Sequence, residues 1–185
     1  TVGTLTVTAQ SIKDSEKITV GTLSNVVYTG KKQEQEPAVT TQDGKTKLVK
    51  GTDYTLSYSE DTKNVGEVTV TVTGKGNYSG KVQRKYHITK APLTVTTEGA
   101  TRAYNGQPLT APGTVTGFVE GENAELQVTG KQTDVGSSKN TYNIVWTETT
   151  KADNYQVSET VGTLTVTDQS IEDSKKITVG KLSNV

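Results

Sequence analysis

The chain has no cysteine and no methionine, one histidine, one tryptophan and one phenylalanine in 185 residues. Without cysteine there are no disulfides, thiolate zinc sites or cysteine nucleophiles. A single histidine leaves too few ligands for a His/Cys metal site. Lys+Arg and Asp+Glu both number 20, so the net charge is zero. No basic surface is offered to nucleic acid or an anionic membrane. No apolar run reaches the length that spans a bilayer, so this fragment implies no membrane insertion. There is no initiator methionine, signal peptide or sorting signal, and the pattern starts mid-way; the expectation is a piece of something longer.

Only 30% of residues are hydrophobic. With zero net charge, that does not imply a self-repelling disordered chain. Thr and Val dominate, and both suit a pleated sheet better than a helix. Eighteen glycines supply turns.

The strongest signal is repetition. Residues 1–26, TVGTLTVTAQSIKDSEKITVGTLSNV, recur as residues 160–185, TVGTLTVTDQSIEDSKKITVGKLSNV. The offset is 159, and 22 of 26 positions match; the exceptions are positions 9, 13, 16 and 22. Fixed-period duplication of this quality predicts a tandem array. A weaker period lies inside the unit. Tyr28-Thr29-Gly30 returns as Tyr104-Asn105-Gly106, Asn64-Val65-Gly66 as Asp134-Val135-Gly136, Asn77-Tyr78 as Asn154-Tyr155, and Ile88 as Val166. The unit is two diverged modules, 17–90 and 91–167. Residues 1–16 read as the last strand of a preceding module plus linker, and 168–185 as a linker and the start of the next repeat.

Alternation sets the strand faces. Val68, Val70 and Val72 share one side of GEVTVTVT, and Tyr54, Leu56 and Tyr58 one side of DYTLSYS. Val82, Tyr86 and Ile88 point inward from KVQRKYHIT. In the second module Tyr142, Ile144 and Trp146 share a face, as do Leu164 and Val166, and Leu93 and Val95. Turns every 8–12 residues then predict an all-β chain of two tandem Ig-like antiparallel β-sandwich modules. The expected aromatic core is Tyr54, Tyr58, Tyr78 and Tyr86, then Tyr104, Tyr142, Trp146 and Tyr155. On that basis Trp146→Ala should cost roughly 3–5 kcal/mol. Pro92 favours a stiff joint after Lys90-Ala91, whereas the longer, charged DQSIEDSKK predicts a looser one. Residues 1–8 duplicate the last strand of the second module, and are expected to pair with a sheet edge, in this chain or in a neighbouring molecule.

The first module runs Tyr28-Thr29-Gly30, Pro37-Ala38-Val39, Leu48, Gly51-Thr52-Asp53-Tyr54, Asn64-Val65-Gly66 and VTVTVTGKGNYSG. It resembles the Ig-like surface repeats of Gram-positive bacteria. The second, with AYNGQPL after KAPLTVT, resembles the MBG and YDG types of bacterial Ig-like domain. GENAEL stands where GTDYTL would be expected, so the resemblance leaves its middle strands unspecified. The resemblance implies a cell-wall-anchored or secreted, hence extracellular, multidomain protein such as an adhesin or a large extracellular enzyme. It brings no catalytic residues.

Local chemistry is sparse. His87 lies between inward Tyr86 and Ile88, so it should face outward, away from any buried acid that would make it a base. GKGNYSGK, 74–81, departs from a phosphate loop: Lys75 stands where Gly is required and Val82 where Ser or Thr is required, and a strand follows. It reads as a Gly-rich turn closed by Tyr78. Neither Glu60-Asp61 nor Glu172-Asp173 sits in a calcium loop. Asn77-Tyr78-Ser79 is formally a glycosylation acceptor. An internal Lys–Asn isopeptide link would need both with an acid on inward positions, and no such triad is legible. No catalytic, cofactor-binding or metal residue is assigned, no cofactor is expected, and the chain is read as no enzyme.

The leading reading is a structural stalk or spacer that projects a distal domain, its partners being neighbouring repeats. The alternative is a cell-adhesion module that binds host glycan or protein through avidity. Its marker would be an exposed aromatic patch; most aromatics fall on inward positions, and Phe118 in VTGFVEG is the least committed to one.

Overall fold

The computed structural model describes residues 3–171 and Gly180. The described chain is built from β-strands, with one 3-10 turn at Ala152–Asn154 and no α-helix. It divides into two compact units, Thr1–Ala91 and Pro92–Val185.

In the first unit the strands are β1 (Gln10–Ser11), β2 (Ile18–Val20), β3 (Val26–Val27), β4 (Val39–Thr41), β5 (Tyr54–Tyr58), β6 (Gly66–Gly74), β7 (Tyr78–Ser79) and β8 (Lys81–Thr89). The principal sheet has the order β3-β8-β6-β5; β2 pairs with β4, and β1 with β7. Val68, Val70 and Val72 are fully buried on β6, and Tyr86 and Ile88 on β8, as alternation predicts. Tyr54 is buried, while Tyr58 and Tyr78 are half-buried at the margin. One core cluster joins Ile12, Ile18, Val20, Val39, Leu48, Tyr54 and Val72.

The first unit begins earlier than residue 17. Gln10 and Ile12 donate backbone hydrogen bonds of 2.9 Å to Asn77 and Ser79, and Ile12 is buried. QSIKD is polar enough to read as linker; its one apolar side chain is what the core takes. Residues 3–9 form no strand. Among the described residues of this segment the expected edge pairing is therefore not made within the chain, and residues 1 and 2 lie outside the described residues. The strand it duplicates, described next, already occupies its place between two neighbours.

The second unit contains β9 (Ala91–Thr97), β10 (Ala100–Ala103), β11 (Gly113–Thr116), β12 (Ala124–Val128), β13 (Gly136–Lys139), β14 (Tyr142–Trp146), β15 (Tyr155–Val161) and β16 (Thr163–Thr167). The sheets run β10-β16-β13, β11-β9-β15 and β12-β14. Leu93, Val95, Leu164 and Val166 are fully buried, and Tyr155 is buried.

The two units share a frame that the weak internal period anticipates. β3 lies parallel to β8, and β10 parallel to β16. β6 enters opposite Ile88 at Gly66, and β13 opposite Val166 at Gly136. Tyr28 donates its N–H to Thr89, and Tyr104 to Thr167, each at 2.8 Å. Two residues further on, Gly30 (φ 74°) and Gly106 (φ 75°) turn through the left-handed region. The difference lies in the middle. β6 runs unbroken for nine residues and pairs with both β8 and β5. Its counterpart breaks at Asn140-Thr141 into β13, which pairs with β16, and β14, which pairs with β12.

Three aromatic expectations of the second unit change, at Tyr104, at Trp146 and at Tyr142, which is half-buried on β14. Tyr104 is exposed, its hydroxyl folded back over the Gly106 turn, whereas Tyr28 of the first unit is buried. Trp146 is half-buried on the short β12-β14 ribbon rather than sealed in a core. Trp146→Ala should therefore lower the stability of the second unit by only about 2 kcal/mol. Urea unfolding followed by circular dichroism checks this.

Candidate functional surface

Polar and aromatic groups come together in the second unit at two places. Phe118 meets Tyr155 edge-on at 5.4 Å and Trp146 edge-on at 6.2 Å, while Trp146 stacks on Tyr155 at 5.9 Å. These geometries suit ring quadrupoles and add to the burial itself. The Tyr155 hydroxyl donates to Glu122 Oε2 at 2.8 Å and accepts the Val119 N–H at 3.2 Å. Phe118, the uncommitted aromatic of the sequence, is thus spent on an internal cluster.

The second place is a shallow cleft lined by Lys139, Thr141, Tyr142, Glu159 and Val161. Here the Tyr142 hydroxyl donates to Glu159 Oε2 at 2.5 Å. Desolvation first, then this hydrogen bond, push Tyr142 up to about 12. Desolvation, and then Glu122, raise Tyr155 to about 12 as well. Both folded values lie above the ordinary tyrosine value of 10. Their contribution to stability is thus complete below pH ~10 and is lost as pH rises through about 12. An ultraviolet titration should show these two phenols ionising last, with unfolding of the second unit in the same window.

The strand breaks at Asn140, between the cleft residues Lys139 and Thr141. Asn140 is fully buried, and its Nδ2 donates to the carbonyls of Glu98 (2.9 Å) and Ala111 (3.0 Å). Its own carbonyl accepts from buried Thr97 Oγ1 at 2.8 Å, and Thr97 in turn accepts the Gly162 N–H at 3.1 Å. Gly130 makes the room, because a Cβ there would stand 2.4 Å from Asn140 Oδ1. This is a side-chain latch that closes backbone groups freed where the strands part. Sequence reading did not find it. Thr97 is the third inward position after Leu93 and Val95, which was a usable signal, whereas Asn140 reads as an ordinary turn residue.

The sequence-level candidates fall on loops and exposed faces. His87 points outward, with Nε2 4.0 Å from Glu67 Oε2. Lys85 holds the other carboxylate oxygen at 2.7 Å and keeps Glu67 below its usual range. GKGNYSGK is a turn: Gly74 N–H bonds the Gly80 carbonyl at 2.9 Å, and Tyr78 packs on the core. Asp61 accepts the N–H groups of Lys63 and Asn64 and the Asn64 amide, so its carboxylate organises its own loop. Glu172 and Asp173 lie outside the described residues. Every described lysine is exposed, and among the described residues no three His, Asp or Glu side chains gather as a metal site. In the first unit the one arginine, Arg84, spends its guanidinium on backbone carbonyls of β2 and the residue after it, with Nη2 2.7 Å from Val20 O.

Residues 93–165 match the family model of the MBG domain, YGX type, as the sequence resemblance implied. MBG repeats typify bacterial surface proteins, a setting compatible with a structural repeat. No curated protein matches the chain.

Proposed function

We propose, from the presence of an MBG domain of YGX type at residues 93–165, that this chain is a structural spacer. It is a unit of a tandem array of Ig-like β-sandwich modules in an extracellular, wall-anchored or secreted adhesin of a Gram-positive bacterium. The array would carry a distal domain away from the cell. The observation that carries the reading is the 22-of-26 match between residues 1–26 and 160–185, at a fixed offset of 159. Near-identical in-line copies supply length and valency. The aromatics support it too, since Tyr54, Tyr86, Tyr155, Phe118 and Trp146 are engaged in packing.

The test is copy number. One, two and four units are displayed between a cell-surface anchor and a tip domain that binds a known ligand. Capture through a polymer brush should improve with each unit. A flexible Gly/Ser linker of equal residue count should give less, because a coil's span grows only as the square root of its length. Equal capture by the flexible linker would contradict the spacer reading.

A further inference from the structure

The duplicated segment occurs twice, and the two copies stand in opposite surroundings. Ile12 is 2% exposed and belongs to the core of the first unit; its repeat, Ile171, is 63% exposed. Conversely, Leu164 and Val166 of β16 are 0% and 1% exposed, while their repeats Leu5 and Val7 are 95% and 92% exposed. In each copy, the apolar side chains that are buried are those whose own unit is present.

The four differences between the copies are informative. They fall at Ala9/Asp168, Lys13/Glu172, Glu16/Lys175 and Thr22/Lys181. In the first unit all four positions are exposed, and two of them exchange charge sign. The buried positions Ile12, Ile18 and Val20 recur unchanged as Ile171, Ile177 and Val179. Variation confined to the solvent side is what a retained core demands.

We infer that Gln169–Val185 opens a second copy of the first unit, and that Ile171 is a core residue of that copy, joined to the second unit through Asp168 alone. The inference deepens the array reading above and rests on it. Its partner is the stretch equivalent to residues 27–91, which supplies the rest of the cluster around Ile12: Val39, Leu48, Tyr54 and Val72. The strand termini set the joint. β16 ends at Thr167, and the repeat of β1 begins at Gln169; within the unit, β8 ends at Thr89 and β9 begins at Ala91. Both joints of the array are then one residue long, Asp168 and Lys90. Residues 172–179, which include the end of the DQSIEDSKK stretch, lie outside the described residues; in the inferred second copy they would take the fold that the same pattern has from Gln10 onward.

The test extends the full chain past Val185 with a copy of residues 27–91. The chain has no cysteine, so Ile171→Cys gives a single thiol. In the 185-residue chain it should react freely. In the extended chain the reaction should slow at least ~100-fold, as Ile12→Cys should in both. Amide exchange on the unsubstituted extended chain provides the second measurement: Ile171 should become as protected as Ile12. Ile171→Asp should leave unfolding of the 185-residue chain unchanged and abolish the added transition in the extended one. Unchanged thiol reactivity together with unprotected Ile171 would overturn the inference. That failure is separable from failure of the spacer reading, because the copy-number experiment reads reach and not where the core of each module begins.

Discussion

Asn140→Asp should destabilise the second unit by about 3–5 kcal/mol at neutral pH. The amide nitrogen donates to two backbone carbonyls in a fully buried position. Those carbonyls also fix which end of the amide is nitrogen. A carboxylate has nothing to donate and would face both carbonyls as a third negative oxygen in a low dielectric. A domain of this size has a total stability of roughly 5–14 kcal/mol, so a loss of that order takes much of it. The sign of the pH dependence follows. Burial raises the pKa of the new acid above its unfolded value. Stability is therefore recovered below the unfolded carboxyl pKa, where the protonated group can donate one bond, and is lost as pH rises through the folded pKa. The only tryptophan, Trp146, reports on this unit alone. Urea unfolding by its fluorescence at pH 7 and near pH 4 should show a large deficit and then a smaller one. A deficit below about 1 kcal/mol, equal at both pH values, would show that the amide does not hold those carbonyls.

Tyr86→Ala should cost the first unit about 3–5 kcal/mol. Tyr86 is 1% exposed, and its hydroxyl donates to the Gln33 carbonyl, while Tyr58 donates to the Gln35 carbonyl at 3.1 Å. The ring fills the core and the hydroxyl pins the 33–35 segment to the sheet. Tyr86→Phe keeps the ring and should cost only about 1 kcal/mol. His87→Ala, one position along on the outward face, should stay within about 0.5 kcal/mol. Calorimetry resolves the first unit's transition for all three. Equal costs at 86 and 87 would mean that the strand is not faced as described.

Tyr86 and His87 illustrate what sequence can reveal. On β6 and β8 a strict period of two separates inside from outside, because side chains on a strand have no third direction. Val68, Val70, Val72, Tyr86 and Ile88 were all legible for that reason. Legibility fails where the period breaks. Asn140 stands in NTYNIV as a turn residue, and only the topology reveals that the strand splits there and that Glu98 and Ala111 need a donor. Ile12 hides among polar neighbours because one apolar side chain carries no period. Tyr104 occupies the position of Tyr28, yet its ring lies over its own turn: a shared motif fixes the backbone hydrogen bond and the glycine, not the side-chain rotamer. Trp146 alternates correctly, but alternation is silent about how much lies beyond the face it points to. The functional surface was legible mainly as residues placed outward, and His87 and Asp61 sit in the exposed surroundings that their neighbours imply.

If valine, tyrosine and tryptophan side chains serve to hold modules in line, length should scale with copy number. Small-angle scattering on chains of one, two and three 159-residue units measures this directly. The account predicts a maximum dimension that rises by a constant increment, at least ~45 Å per unit for two modules built on strands of about seven residues. An increment that shrinks with each added unit, as for a chain folding back on itself, would contradict it.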